Sequence, residues 1–351
     1  MKDRLLQWIC CPSCGRELKC DVYRREGAEA MEGALTCPSG HVYPIIGGIP
    51  RLLDGWATGE LPHLYPEFFQ SYPCLHTGIK TQEDPLRADP GRCTQERFGY
   101  EWTYFLDYQC NNFRQFIEPL PQHFFVGKLG LDAGCGAGRH AVEAASLGAE
   151  VIAIDLSRAV EAAYRNCRRL EKIHVIQADI YHLPLKPAVL DFVYSLGVLQ
   201  HTPEPEQGFH SLTRHLTRGG AIFAWVYAYA LRKVMLESLR FVSQRLSNEN
   251  IRRMAFFCNL LDYGLVVNLY RAMRSFRAGR SLAGFFPART REYAEHGYYT
   301  AYADWYDRLA APITNYYKEK ELQDWLSRSS LQETALKKVE DSWWWLYGRR
   351  V

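Results

Sequence analysis

Residues 129–138 read Leu-Gly-Leu-Asp-Ala-Gly-Cys-Gly-Ala-Gly, and no other stretch constrains the fold of this chain as tightly. A short apolar run ends in Asp132, glycines stand at 134, 136 and 138, and a helical pattern runs from Arg139 to Leu147. The spacing predicts a buried strand, a tight turn and a helix whose first turn faces that turn. Glycine is needed where the backbone takes unusual dihedrals or lets a ligand come close. The unpaired N–H groups of a helix start attract carboxylate or phosphate. Taken alone, the same residues also suit a purely structural turn.

The segments that follow narrow the choice. Glu150–Leu156 is a second apolar run, ending around Asp155; His174–Ala178 is a third, followed by Asp179; Leu190–Leu196 is a fourth. Helical patterns fill Ser157–Leu170 and Glu206–Leu216, and Gly219-Gly220 opens a fifth strand at Ala221–Val226. Strands alternating with helices imply right-handed βαβ units and a parallel sheet. In such sheets ligands sit beyond the C-terminal strand ends, where Asp132, Asp155 and Asp179 all fall. Each acid alone is compatible with a helix cap; their shared location argues for a shared ligand. The third glycine comes one residue too early for the nicotinamide pattern G-x-G-x-x-G, whose last position is taken by Arg139.

An alternate-glycine turn preceded by Asp, with an acid after each of the next two strands, resembles the class I S-adenosylmethionine-dependent methyltransferases. The resemblance covers roughly residues 95–230 and the C-terminal tail. It implies an α/β, Rossmann-like, doubly wound, mostly parallel sheet of seven strands, with a helical insertion after the fifth. It also implies that Gly134, Cys135, Gly136 and Gly138, with Asp132 before them, form the turn against the methionine part of the cofactor. Asp155 is expected on the ribose and Asp179 beside the adenine amine, with Leu156 and Ile180 flanking the ring. The segment from Ser195 and Leu196 to Pro205 matches the family's region after strand four, which lines cofactor and acceptor.

Cys11-Pro-Ser-Cys14 and Cys37-Pro-Ser-Gly-His41 are two knuckles. Thiolates and imidazole at these spacings can meet tetrahedrally around zinc, and a small segment without room for a core uses metal in its place. Leu18–Val22 and Ala34–Thr36 are expected to pair as strands between them. The unit resembles the zinc ribbon of methyltransferase activator subunits. That ribbon has four cysteines; here Gly40 takes the fourth position and His41 follows it, as in ribosomal-RNA guanine methyltransferases. Cys10 and Cys20 are spare thiols, and a metal-free ribbon with buried thiols is the alternative. A zinc here is structural or substrate-docking, because three thiolates leave little Lewis acidity.

The division expected is 1–53 ribbon, 54–94 irregular connector, 95–230 with 300–351 methyltransferase core, and 231–299 insertion. The insertion is basic. Residues 232–291 hold twelve Arg or Lys against Glu237, Glu249 and Asp262, although the whole chain carries only +3. Leu231, Met235, Leu239, Val242 and Leu246 recur at helical spacing, and Ile251–Phe276 reads as a second helix with an apolar middle. Three roles are open: a helical cap over the acceptor pocket with solvated arginines, a peripheral membrane contact, or an RNA contact. An apolar cap suits a lipid-like acceptor.

The hydrophobic share of 47% supports a full core. Eleven cysteines show no regular disulfide framework beyond the knuckles, which favours a reducing, cytoplasmic compartment. No stretch suggests a secretion signal or a membrane span. Tyr100 and Trp102 are candidate lid residues, with aromatic packing on the sheet as the alternative. His201, just after the fourth strand, is the candidate base, or else a structural histidine; His296, Tyr298 and Tyr299 are near enough in sequence to serve the acceptor. No residue separates O-, N- and C-methylation, and the Asn/Asp-Pro-Pro-Tyr motif of amino methylation is absent after strand four. The function expected is methyl transfer to a small-molecule or lipid-like acceptor, with an RNA methyltransferase and a catalytically silent binding module as alternatives.

Overall fold

The computed structural model describes all residues except 78–89, 107–111, 118–119, 230–232 and 340–341, so Leu231 of the expected first insertion helix lies outside the described residues. Among the described residues, eleven strands form one sheet: β1 (Lys19–Glu26), β2 (Glu29–Thr36), β3 (Val42–Ile46), β4 (Ile49–Leu52), β5 (Leu129–Ala133), β6 (Glu150–Asp155), β7 (Ile173–Ala178), β8 (Leu190–Leu196), β9 (Leu216–Tyr227), β10 (Leu331–Val339) and β11 (Trp343–Arg350). Their order is β1-β2-β3-β4-β7-β6-β5-β8-β9-β11-β10. The last seven in that order form the expected sheet: β5 to β9 are parallel, and β11 runs antiparallel between β9 and β10.

The expectation of seven strands is corrected to eleven. The ribbon is not a separate appendage. Its last strand, β4, pairs in parallel with β7 at Arg51↔Gln177 and Leu52↔Ala178, so β1–β4 extend the sheet beyond what would otherwise be its edge. Covering an open edge in this way satisfies backbone groups that water would otherwise have to pair. Arg51 fixes the joint. Wholly buried, it donates to Gln177 Oε1 (2.9 Å) and Glu161 Oε1 (2.6 Å). A buried guanidinium needs such partners to offset its lost hydration.

Alternation along each strand divides the core. In β6, Ile152 and Ile154 face one layer and Val151 and Ala153 the other. The first layer continues without a break into Met1, Leu5, Ile9 and Leu35 of the ribbon. The second is aromatic: Phe125, Phe192, Tyr194, Phe223 and Trp225. The Trp343-Trp344-Trp345 run alternates as strands do. The indoles of Trp344 and Trp345 donate to the Tyr317 and Phe116 carbonyls, while Trp343 packs on Tyr227.

Within its described residues the connector is more ordered than expected. Short helices begin at or next to Pro62, Pro66 and Pro73, each proline starting a turn that its predecessor ends. Phe68, Phe69 and Leu75 bury themselves against Ala34 and Ile46 of the ribbon. The Pro90–Tyr104 helix lies against the segments after β5 and β6, with Gln95 donating to the Leu156 carbonyl and Trp102 against Gly136. The expected long insertion helix is a helix from Asn248 to Leu261, a π-helical turn (Asp262–Val267) and a further helix (Asn268–Ser275). It packs on the Tyr298–Ala310 helix, whose Trp305, Tyr306 and Leu309 are buried.

Candidate functional site

The glycine turn forms as the sequence implies. Gly134, Gly136 and Gly138 all have positive φ, and Gly138 caps the Arg139–Ser146 helix. Gly134 is the tightest point: a Cβ there would lie 2.4 Å from Val198, on the segment after β8. At Gly136 the built Cβ would sit 3.0 Å from the Trp102 indole, which lies over the turn. Gly134→Ala combines a clash with a strained φ, and is expected to cost more than about 2 kcal/mol of stability and to abolish cofactor binding. Thermal unfolding and S-adenosylhomocysteine titration of that variant are the checks.

Asp155 ends β6 and holds the turn in place. Its Oδ2 accepts from Gly136 N–H (3.0 Å), and its Oδ1 accepts from Ser157 N–H (2.8 Å) and the Ser157 hydroxyl (2.7 Å). Burial pushes the carboxyl up and these donors hold it down. Asp179 accepts from Tyr181 N–H (2.9 Å), and burial raises its carboxyl also.

The turn and both acids line a cavity of about 1250 Å³. Gly134, Cys135, Gly136, Asp155, Leu156, Asp179, Ile180, Leu196, Trp102 and His201 contribute to its wall. Asp132 and Gly138 do not. Asp132 lies buried beneath the turn, its carboxyl pushed up to about 7 mainly by burial, and Gly138 is backed by Cys167 and Ala163. Tyr100 faces away from the cavity, packing on Tyr104 and Tyr306, so of the two lid candidates only Trp102 covers the turn. Tyr298, Tyr299 and His296 are also absent from the wall.

His201 sits in a buried position, its Nδ1 2.8 Å from the Ile313 carbonyl. That carbonyl makes Nδ1 the protonated nitrogen, leaving Nε2 as the acceptor. Burial pushes its pKa down to about 4. The imidazole is therefore expected to stay neutral at every pH above about 5, and its ring resonances should not titrate between pH 8 and 5 by NMR.

The cap side of the cavity corrects the apolar expectation. Arg240, Arg289, Asp304, Asp307 and Arg308 line it, together with Trp305, Tyr316 and Trp343. Glu101, buried on the Pro90–Tyr104 helix, joins them, with burial driving its carboxyl well up. Arg240 donates to the Arg308 carbonyl (2.6 Å) and the Tyr316 hydroxyl (3.0 Å). Sequence reading missed these residues. The signal available was a polar i, i+3, i+4 stripe, Asp304-Asp307-Arg308, in an otherwise apolar helix.

At the ribbon tip the four expected ligands converge. The ligand atoms of Cys11, Cys14, Cys37 and His41 all lie within 4.8 Å of one another. Cys14 and Cys37 Sγ are 3.7 Å apart, and His41 Nδ1 is 3.4 and 3.3 Å from Cys11 and Cys37 Sγ. A tetrahedral zinc with bonds of about 2.3 Å needs thiolates about 3.7 Å apart, so the donor set and spacing fit that ion. Cys10 and Cys20 stand outside the group.

Residues 131–224 match the family model described as "Methyltransferase domain". Ubiquinone biosynthesis O-methyltransferase of Azoarcus sp. (strain BH72) is 35% identical over 101 residues, 28% of this chain and 43% of the relative. The tRNA U34 carboxymethyltransferase of Proteus mirabilis (strain HI4320) is 33% identical over 143 residues, 39% of this chain and 42% of the relative. Magnesium protoporphyrin IX methyltransferase from Synechocystis PCC 6803, solved with bound SAH, gives a TM-score of 0.41 at 15% identity, covering 74% of this chain and 98% of that one. The chain spans less than half the length of the curated relatives it matches. Residues 131–224 are thus similar to a methyltransferase domain and sit within a Rossmann-like sheet.

Proposed function

We propose that this chain is an S-adenosylmethionine-dependent methyltransferase acting on a small-molecule acceptor. The observation that carries this reading is that the glycine turn and two strand-end acids open into one cavity, whose far side is lined by Arg240, Arg289, Asp304, Asp307 and Arg308. The cradle fits the cofactor: Gly134 and Gly136 leave backbone where a side chain would collide, and Asp155 and Asp179 stand in the order in which ribose and adenine are met. S-Adenosylmethionine, when bound, supplies an electrophilic sulfonium methyl.

The protein's part is to orient the acceptor and exclude water. Trp102 covers the turn, with the Arg139 guanidinium 5.4 Å from the ring centroid. The mixed charges of the cap side favour an acceptor with polar groups over a purely hydrocarbon one. His201 is a weak base at neutral pH, so it suits holding the acceptor through Nε2 better than removing a tightly held proton. We also infer that Cys11, Cys14, Cys37 and His41 hold a structural zinc with no open position.

The test is to incubate the full chain with methyl-labelled S-adenosylmethionine and separated small-metabolite, lipid, RNA and protein fractions of a cell extract. Label in the small-metabolite fraction, or in the lipid fraction as a polar lipid, supports the reading. Label in RNA replaces the acceptor class. Cofactor binding without label in any fraction favours a silent module.

A further inference from the structure

The Asn248–Leu261 helix, its π-helical continuation and the Asn268–Ser275 helix follow one another without a break. Ile251, Ala255, Asn259, Val267 and Tyr270 are buried on the inner side. The outer side is apolar and open. Phe257 (63% exposed), Leu261 (63%), Leu265 (67%) and Leu269 recur at every fourth residue, and Phe285 (86%) stands beyond them. Scattered exposed apolar residues are ordinary; a continuous ridge of them marks a contact surface.

The charges beside the ridge select the partner. Arg253, Arg271, Arg274, Arg277 and Arg280 are exposed. Between residues 248 and 285 the only acids are Glu249 and Asp262. Glu249 is already paired with Arg252 and Arg253, and Asp262 accepts from the Trp305 indole (3.0 Å).

We propose that this ridge docks on an anionic lipid surface, lying in the plane of the head groups. A second copy of the chain fits poorly, because matching faces would bring both sets of arginines together without acids between them. Nucleic acid would neutralise the arginines but leave Phe257, Leu261 and Leu265 in water. An anionic bilayer surface satisfies both features, with the apolar ridge in the acyl boundary and the arginines among head groups. The docking is superficial: among the described residues no helix is long and apolar enough to cross a membrane. Residues of the same cap, Arg289 and Trp305, line the cavity, so docking holds the acceptor side close to the lipid boundary.

The experiment is vesicle sedimentation of the full chain with phosphatidylcholine alone and with about one quarter phosphatidylglycerol. The protein is expected to sediment with the anionic vesicles, much less with the neutral ones, and to dissociate as salt rises towards about 0.5 M. A Phe257→Asp, Leu261→Asp double variant should need at least about tenfold more anionic lipid for half-binding. Both positions are exposed, so its unfolding temperature and S-adenosylhomocysteine affinity should not change, which separates this test from that of the cofactor site. Failure of the wild type to bind anionic vesicles, or equal binding by the double variant, overturns the proposal. So does a dimer in solution that the double variant converts to a monomer, since a second copy would then cover the ridge.

Discussion

Asp155→Ala is expected to weaken S-adenosylhomocysteine binding by about a hundredfold. The carboxylate has two tasks. It accepts from Gly136 N–H and from both Ser157 donors, fixing the turn relative to the next helix. It also lies on the cavity wall, where the ribose hydroxyls of the proposed cofactor are expected. A hydrogen bond to a charged group contributes about 1.5–3 kcal/mol. Losing the ribose contacts while the turn loosens reaches about 2.7 kcal/mol, which is a factor of about a hundred. Asp155→Asn keeps the shape and one acceptor oxygen, and should fall between wild type and Ala. Isothermal titration gives the affinities directly. A change below about threefold in the Ala variant would remove Asp155 from its assigned role.

The second large effect is expected on metal removal. Chelation, or Cys37→Ser, should lower the unfolding temperature by more than about 5 °C and weaken S-adenosylhomocysteine binding by about tenfold. The stability loss follows from the ribbon's construction: the four ligand atoms tie together knuckles that flank the β1–β2 hairpin. The effect on binding follows from the shared sheet. Ser13, inside the first knuckle, donates to Asp54 Oδ1 (2.6 Å) just beyond β4. β4 pairs with Gln177 and Ala178, the two residues before Asp179. Gln177 in turn accepts from Arg51 and donates to the carbonyl of Leu156, on the cavity wall (2.9 Å). A loosened ribbon therefore loosens Leu156 and Asp179. By linkage, S-adenosylhomocysteine should raise zinc affinity by the same factor. Protein purified with one equivalent of zinc whose unfolding and binding ignore its removal would contradict this coupling of ribbon and cofactor site.

Much of the core was legible because its signals are local. The apolar runs ending at Asp132, Asp155 and Leu196 coincide with β5, β6 and β8 to within a residue or two. The Cys/His quartet was legible because metal ligands must be spaced for one ion, and those spacings lie within two short segments. The junction of β4 with β7 was not. Ile49-Pro-Arg-Leu is four residues long, and no local pattern states which distant edge a strand will meet. Nor does composition mark Arg51 as buried, since its partners lie 110 and 126 residues away.

The insertion shows a different limit. Periodicity reveals an apolar stripe from residue 251 to 276 but not which way it faces, because apolar residues recur on more than one side of the helices. Sequence alone leaves three roles open for the insertion; in the structure Phe257, Leu261, Leu265 and Leu269 face outward, Ile251, Ala255 and Val267 inward, and the cavity is lined by Arg240, Arg289, Asp307 and Arg308. Asp304, Asp307 and Glu101 belong to helices about two hundred residues apart in sequence, brought side by side by packing of Tyr100 on Tyr306 and Phe105 on Tyr302 and by the Arg97 hydrogen bond to the Ala310 carbonyl.

Calorimetric titration of S-adenosylhomocysteine into the wild-type chain is the decisive test of the cofactor site. A single site with a dissociation constant below about 100 μM, in the range usual for enzyme ligands, is the result expected. No detectable binding up to about 1 mM would contradict the assignment of the glycine turn, Asp155 and Asp179 to this cofactor, and with it the proposed function.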